Sequence, residues 1–195
     1  MKEALNIIVV ERSDDRAAQI VEALTAVSNL NEIHVVSDVS TLTQRVAALA
    51  PDVVLIDVAD PSRDMLEELA LASGPIERPV AMFVDQSSEG LTAAAIEAGF
   101  SAYVVDGLNT NRLKPVLEAT IARFRMMQRM RKELAETKRA LEERKVIDRA
   151  KGLIMTSRAV SEEEAYAILR KAAMDQNRRV ADVAEALVST AGLLS

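Results

Sequence analysis

Short apolar segments alternate with amphipathic segments through the first half of the chain. The apolar segments are four to six residues long, which is typical of strands that are buried on both faces of a parallel sheet. Between them, apolar residues recur at three- and four-residue steps, the spacing of a helix with one buried face. Five such units predict an α/β fold with a five-stranded, parallel, doubly wound sheet. The predicted strands are residues 5–10, 33–36, 52–57, 80–84 and 102–105.

One long helix is predicted to follow this alternation. No glycine occurs between Arg112 and Gly152, and we expect Pro115 to lie in the first helical turn, where proline is tolerated. Apolar residues then step by three and four positions with charged residues on both sides, which predicts a short coiled-coil seam that pairs two copies of the chain. The seam consists of Met127, Met130, Leu134, Thr137 and Leu141, and its apolar members are the candidate dimerisation residues.

The last part of the chain predicts three helices, the first continuous with the long helix. Ser161 and Glu164 have the spacing of a capping box at the start of the second helix. The apolar stripe of the first helix is predicted to be Val146, Ile147, Ala150, Leu153 and Ile154. Small residues that we expect to face inward are Ala150, Gly152, Ala165, Ala172, Ala173 and Ala184. The predicted domains are an α/β domain (1–124), a coiled-coil linker helix (113–142) and an all-α three-helix domain (130–195).

Charge divides the chain more sharply than its net charge of −6 suggests. Residues 1–112 contain 7 basic and 18 acidic residues, whereas residues 113–195 contain 17 basic and 12 acidic ones. An acidic first half and a basic second half suggest two modules with different partners, so the overall acidity of the chain does not argue against a nucleic-acid partner. The chain has no cysteine, no membrane-length apolar run and no basic-then-apolar leader, so we expect a cytoplasmic protein without a membrane contact.

Acidic residues follow the predicted strands, at the edge where sites of doubly wound sheets gather. Glu11, Asp57 and Asp106 form the predicted acidic pocket, and Asp85 lies at the same edge. No nucleophile–base set, glycine-rich phosphate loop or paired-acid pattern accompanies them, so we expect a regulator rather than an enzyme. No catalytic residue is therefore assigned.

The basic half carries its charges outside the apolar stripe. Arg144, Lys145, Arg149 and Lys151 are predicted to place four positive charges on one helical surface, which suits a phosphate backbone. The alternative is a solvated helix face with no ligand.

The strand order and the position of Asp57 resemble the receiver domain of bacterial response regulators over roughly residues 4–124. The resemblance implies a phosphoacceptor at Asp57 and Mg²⁺ bound at Glu11 and Asp57. Three positions depart from the family pattern: Arg12 replaces the second acid, Val84 the hydroxyl after the fourth strand, and Asp106-Gly107 the lysine and its neighbour. Without that lysine and hydroxyl we expect no efficient phosphoryl transfer and no functional cofactor. The receiver fold then serves as a docking surface.

The basic half resembles an ANTAR domain, the RNA-binding module of transcription antiterminators, over about residues 130–190. The similar segments are Ala140–Met155 with its Ala-Lys-Gly core, Glu164–Tyr166, Leu169–Lys171 and Val180–Ala184. The resemblance implies a homodimer that binds hairpins in a leader mRNA, so that polymerase reads into the downstream genes. The implied RNA-binding residues are Arg144, Lys145, Arg149, Lys151, Tyr166, Arg170, Lys171, Arg178 and Arg179, with Tyr166 able to stack a base if its ring is exposed.

The receiver with Asp106-Gly107, joined to this module, is similar to nitrate regulators of the NasT type. That resemblance implies control of nitrate and nitrite assimilation genes and sequestration by a NasS-like nitrate sensor protein. Two other functions stay open from the sequence: an RNA-binding two-component regulator switched by histidine-kinase phosphorylation of Asp57, and a DNA-binding response regulator. A scaffold whose basic face is only solvated is a further alternative.

Overall fold

The computed structural model of the chain describes residues 4–27, 32–107 and 109–192. It divides into two compact units, the receiver-like unit Met1–Gln128 and the three-helix unit Arg129–Ser195. The domain limits predicted from the sequence, at residues 124 and 130, lie on either side of this division.

The receiver-like unit contains a five-stranded sheet in which all strands are parallel. Its strand order is β2-β1-β3-β4-β5, the order of the flavodoxin-like fold, so the predicted fold class is confirmed. The strands are β1 (Asn6–Val10), β2 (Glu32–Val36), β3 (Val53–Val58), β4 (Val80–Val84) and β5 (Ala102–Val105).

Helices cover both faces of the sheet because successive strand residues point to opposite sides. Ile8 and Ile56 pack with the helices that follow β2, β3 and β4 in one core, and Ile7 and Leu55 pack with the helix that follows β1 and the start of the helix that follows β5 in another. This arrangement leaves the carboxyl ends of the strands open to the loops that follow them. The covering helices are α1 (Asp14–Val27), α2 (Leu42–Leu49), α3 (Arg63–Ser73) and α4 (Leu91–Glu97).

The long helix α5 spans Thr110–Arg158, 49 residues. Leu113, Leu117 and Ile121 are buried in the core of the receiver-like unit. Pro115 lies inside the helix, in its second turn, so the prediction of a first-turn proline is wrong. Proline there removes one backbone hydrogen bond, and the buried leucines on either side keep the segment helical.

Three helices form the second unit: the end of α5, α6 (Glu162–Asp175) and α7 (Val180–Gly192). The predicted capping box is confirmed, because Ser161 Oγ accepts from the Glu164 amide and Glu164 Oε2 accepts from the Ser161 amide. Four alanines are buried between the helices, which permits close helix approach: Ala150, Ala165, Ala173 and Ala184.

Two inward positions predicted for the end of α5 are wrong. Gly152 is exposed, and a Cβ placed there would meet nothing within 4 Å. Leu153 is also exposed, whereas Ala150 and Ile154 are buried. The helices α6 and α7 contact a narrower stripe of α5 than the apolar pattern indicated. The sequence does not show from which direction these helices approach.

No helix in the described ranges is long and apolar enough to cross a membrane.

Candidate functional site

Three carboxylates meet at the open edge of the sheet in the receiver-like unit. Glu11 follows β1, Asp57 is the fifth residue of β3, and Asp85 follows β4. Glu11 is 7% exposed and Asp57 is 5% exposed, whereas Asp85 is open to solvent. Buried carboxylates are costly unless a positive charge or several donors compensate them.

Arg16, in the first turn of α1, supplies that positive charge. Its Nε and Nη2 atoms donate to the two oxygens of Asp57 at 3.1 Å each, a bidentate pair. Its Nη1 and Nη2 atoms donate to the two oxygens of Asp85 at 3.2 and 3.3 Å. Glu11 Oε2 lies 3.7 Å from Nε, and Glu11 Oε1 accepts from the Ser13 amide at 2.7 Å. One guanidinium thus binds all three acids.

The loop after β5 completes this cluster with a glycine. Gly107 has φ of +71°, and a Cβ there would lie 2.6 Å from Asp85 Oδ1. A side chain at this position would therefore push Asp85 away from Arg16. Asp106, predicted as a pocket residue, is exposed and forms no ion pair with a residue in the described ranges. The structure brings Asp85 to the guanidinium instead.

Arg16 was not among the candidate residues from the sequence. The side chain that faces the sheet edge is set by the helical turn that begins after Ser13, and the sequence pattern does not show that orientation. A sequence signal exists, because Arg16 is the one basic residue of α1 and occupies its first turn, next to the predicted acidic edge.

Burial, and after it the nearby carboxyl of Glu11, raise the pKa of Asp57 from its ordinary value of 3.8 to about 6, although the charge of Arg16 opposes the shift. The folded state therefore holds a proton on Asp57 at pH values where the unfolded chain has lost it. A cavity of about 500 Å³ adjoins this carboxyl and is lined on its other side by Val39, Met65 and Leu69.

The basic residues of the three-helix unit lie on two faces of α5 rather than one. Arg144 and Lys151 line a groove of about 740 Å³ between α5 and α6, and Lys145 and Arg149 do not. Seven residues make nearly two helical turns, so positions 144 and 151 share a face, whereas 145 and 149 lie on the next one. The predicted single surface with four cations is therefore wrong.

Carboxylates neutralise several of these cations. Lys151 lies 2.7 Å from Asp148 and 2.6 Å from Glu162, and these hydrogen bonds raise the pKa of its amine. Arg179 pairs with Asp182 at 2.6 Å and with Glu143 at 2.9 Å.

Weaker or more exposed contacts complete the set of paired cations. Lys145 pairs with Glu142 at 2.8 Å, and Arg144 lies 4.0 Å from Asp148. Arg178 donates to the carbonyl oxygen of Asp182.

Four predicted cations have no ion pair to any residue in the part of the chain that the structure describes: Arg149, Arg170, Lys171 and Arg178, the last of which donates only to uncharged oxygens. Arg170 and Lys171 lie in α6 beside Tyr166 and line a depression of about 500 Å³ along that helix.

Tyr166 connects the two concave surfaces. Its side chain is 43% exposed and lines both the groove that contains Arg144 and Lys151 and the depression that contains Arg170 and Lys171. An exposed aromatic ring between cations provides a stacking surface for a nucleobase with neutralising groups for its phosphates.

A family comparison matches residues 135–188, which hold these surfaces, to the ANTAR domain. The transcriptional regulatory protein PdtaR of Mycobacterium tuberculosis is 32% identical over 142 residues, which are 73% of this chain and 69% of that protein. The chain belongs to the family of ANTAR-domain response regulators.

Solved structures agree on the fold of the receiver-like unit. A putative pilus assembly-related protein of Burkholderia pseudomallei has a TM-score of 0.52 at 18% identity and covers 63% of this chain and 93% of its own. The signal receiver domain of a putative Luxo repressor protein of Vibrio parahaemolyticus has a TM-score of 0.50 at 17% identity, with coverages of 65% and 97%. Both show a shared fold and no more.

The ANTAR domain is also similar to part of a named nitrate regulator. The nitrate regulatory protein of Klebsiella oxytoca is 45% identical over 67 residues, which are 34% of this chain and 17% of that protein.

A pH-dependent stability is expected from Asp57. Because its pKa is raised in the folded state, its contribution to stability is complete below pH 3.8 and is lost as the pH rises through about 6. The free energy of unfolding of the wild type, relative to Asp57→Asn, should fall by about 1 kcal/mol between pH 5 and 7.5. Native-state hydrogen exchange of the β3 amides measures this difference.

Asp64→Asn removes an exposed carboxylate from the first turn of α3 and controls for the change in net charge. Parallel pH profiles of the wild type and Asp57→Asn would contradict the raised pKa.

Proposed function

We propose that this ANTAR-domain response regulator binds hairpins in leader mRNA and acts as a transcription antitermination regulator in the cytoplasm. The match of residues 135–188 to the ANTAR domain supports the class of protein. The name of PdtaR, a transcriptional regulatory protein, supports a role in transcription.

The observation that carries this proposal is the exposed ring of Tyr166, which lies between a groove that contains Arg144 and Lys151 and a depression that contains Arg170 and Lys171. Carboxylates line both surfaces as well. Bases in an RNA loop are unstacked and can be splayed onto an aromatic side chain, while flanking arginines and lysines neutralise the loop phosphates. Arg170 and Lys171 have no carboxylate partner in the described part of the chain, so they are ready to bind phosphate without breaking an ion pair.

The paired cations add specificity rather than raw affinity. A phosphate that reaches Lys151 must displace Asp148 or Glu162, which lie within 2.7 Å of its amine. A non-specific polyanion gains little from such an exchange, because one ion pair replaces another. A ligand that also stacks on Tyr166 gains the additional interaction, which favours folded loops over arbitrary nucleic acid.

The charge at the start of α6 disfavours duplex DNA as the target. Recognition helices of DNA-binding regulators place their N-terminal residues against the base edges in the major groove. Here the first turn of α6 consists of Glu162, Glu163 and Glu164, which phosphates on both sides of the groove would repel.

The direct test measures affinity for hairpin RNA selected from a pool with randomised loops. Tyr166→Ala should weaken binding about 10-fold, the loss expected for one stacked base, and Tyr166→Phe should bind like the wild type. Joint replacement of Arg170 and Lys171 by glutamine should reduce the slope of log affinity against log salt by about 0.7 for each phosphate that these side chains no longer neutralise. Fluorescence anisotropy across a salt series measures both effects.

Lys138→Gln is the matched control, because Lys138 is exposed on α5, lies inside the matched residues and lines neither concave surface. Unchanged affinity of a folded Tyr166→Ala variant would contradict the proposed site. Competition by duplex DNA as effective as that by hairpin RNA would favour the DNA-binding alternative.

We further propose that the active regulator is a homodimer paired through α5. Met127, Met130, Leu134 and Leu141 are 40 to 56% exposed, although all four are large apolar side chains. The hydroxyl of Thr137 donates to the carbonyl oxygen of Glu133 in the same helix, so this seam position has no unsatisfied donor. Met126, which the sequence analysis did not include, is exposed beside them.

Leu134→Glu should abolish self-association, because it places a charge in the middle of the apolar seam. Sedimentation velocity with and without hairpin RNA measures the effect. Glu133→Gln, one residue away and off the seam, is the control and should associate like the wild type. A wild type that stays monomeric at tens of micromolar with RNA bound would count against the dimer.

The regulated genes are proposed to be those of nitrate and nitrite assimilation, with a NasS-like nitrate sensor protein that sequesters the regulator. Similarity to a nitrate regulatory protein supports this assignment. Affinity purification of the full chain from cells grown without nitrate should recover the sensor, and added nitrate should replace the sensor by leader transcripts. Recovery of the same partner and no transcript under both conditions would contradict sequestration.

A further inference from the structure

The receiver fold implies a divalent cation beside its phosphoacceptor, and the residues at that place can be tested for it. Magnesium requires nearly octahedral oxygen ligands at about 2.1 Å. In this unit both oxygens of Asp57 and both oxygens of Asp85 already accept hydrogen bonds from Arg16. Within residues 4–27, 32–107 and 109–192, no three acidic, histidine or cysteine side chains are grouped to hold a metal ion. The residues therefore do not fit Mg²⁺.

We propose that Arg16 is a built-in counter-ion that takes the place of the divalent cation and makes the receiver-like unit independent of Mg²⁺ and of phosphoryl donors. The guanidinium is covalently part of the unit, so no ion has to be recruited from solution. It is planar and presents three nitrogens to two carboxylates, and its side chain is only 37% exposed.

The same contacts explain why Asp57 is a poor nucleophile toward a phosphoryl donor. A carboxylate oxygen attacks phosphorus with a lone pair, and here each oxygen of Asp57 shares its electron density with a guanidinium N–H. Asp85 and Glu11 add negative charge on the side from which an anionic donor would arrive. The fully buried Val84 offers no hydroxyl to hold a phosphoryl oxygen.

The loop after β5 leaves room for the contact between Asp85 and Arg16. Gly107 leaves room for Asp85 against the backbone of the β5 loop, and a Cβ there would also lie 3.8 Å from Arg16 Nη2. The Gly107 amide donates to the carbonyl oxygen of Val84 at 2.8 Å, which fixes this loop beside β4. The cluster thus joins the ends of β1, β3 and β4 through one side chain of α1, and the loop after β5 is held beside β4 by the Gly107 amide.

Calorimetric titration of the full-length wild type with MgCl₂, at constant ionic strength, is the primary test. No binding tighter than about 1 mM is expected, since Mg²⁺ must displace a guanidinium that is already in place. Binding of Mg²⁺ to the wild type with a dissociation constant below about 1 mM would overturn the proposal, whatever the variants do.

Arg16→Gln removes the charge and should create a response to Mg²⁺ at Glu11 and Asp57. Its Tm should be lower than that of the wild type without Mg²⁺ and should rise by about 2–4 °C in roughly 10 mM MgCl₂, because the ion compensates the buried carboxylates. Arg16→Lys keeps the charge and should show no Mg²⁺ response.

Arg45→Gln removes an exposed arginine of α2 that has no ion pair in the described ranges, and it should behave like the wild type. A folded Arg16→Gln variant whose Tm does not respond to Mg²⁺ would also overturn the proposal. If Arg16→Gln does not fold, the wild-type titration and the Arg16→Lys variant decide the question.

Discussion

At the edge of the sheet, the negative charge of two buried carboxylates has to be compensated by a positive charge. Glu11 and Asp57 lie more than 90% buried at the ends of two central strands, where an unpaired charge is too costly to keep. Arg16 supplies the compensating charge. Its guanidinium binds Asp57 and Asp85 through bidentate contacts and lies close to Glu11. A fixed arginine keeps its positive charge at this edge whether Asp57 is protonated or ionised, whereas a cation taken from solution has to be recruited first.

In the three-helix unit the charged groups are cations at the surface, and carboxylates neutralise some of them. Its small core is built on buried alanines, so the helices approach closely and most charged side chains stay outside. Carboxylates then pair with part of that charge, such as Asp148 and Glu162 with Lys151. Arg170 and Lys171 stay unpaired among the described residues, next to the exposed ring of Tyr166. This combination supports the proposed selectivity for folded RNA better than total charge would, because the unit is not an indiscriminate polycation.

The fold was predictable because hydrophobic periodicity records burial directly. All five strands, their parallel order and the three helices of the second unit follow from runs such as Val53–Val58 and from stripes at helical spacing. The capping box at Ser161 was predictable because its geometry is local. The wrong predictions concern residues whose burial depends on how a neighbouring helix packs against them. Gly152 and Leu153 were assigned to the core, but they are exposed because α6 and α7 cover a narrower part of α5.

The sequence by itself determined which residue types lie at the edge of the sheet and which helices carry the positive charge. It also indicated that Asp57 lacks the lysine and hydroxyl of an ordinary phosphoacceptor site. Only the tertiary structure decided that Arg16 compensates these acids, that Asp85 joins them instead of Asp106, and that the exposed ring of Tyr166 lines two concave surfaces that contain cations. The physical reason is that ion pairs and side-chain exposure depend on distances between elements far apart in sequence: Arg16 and Asp85 are separated by 69 positions and meet only because the sheet brings their loops together.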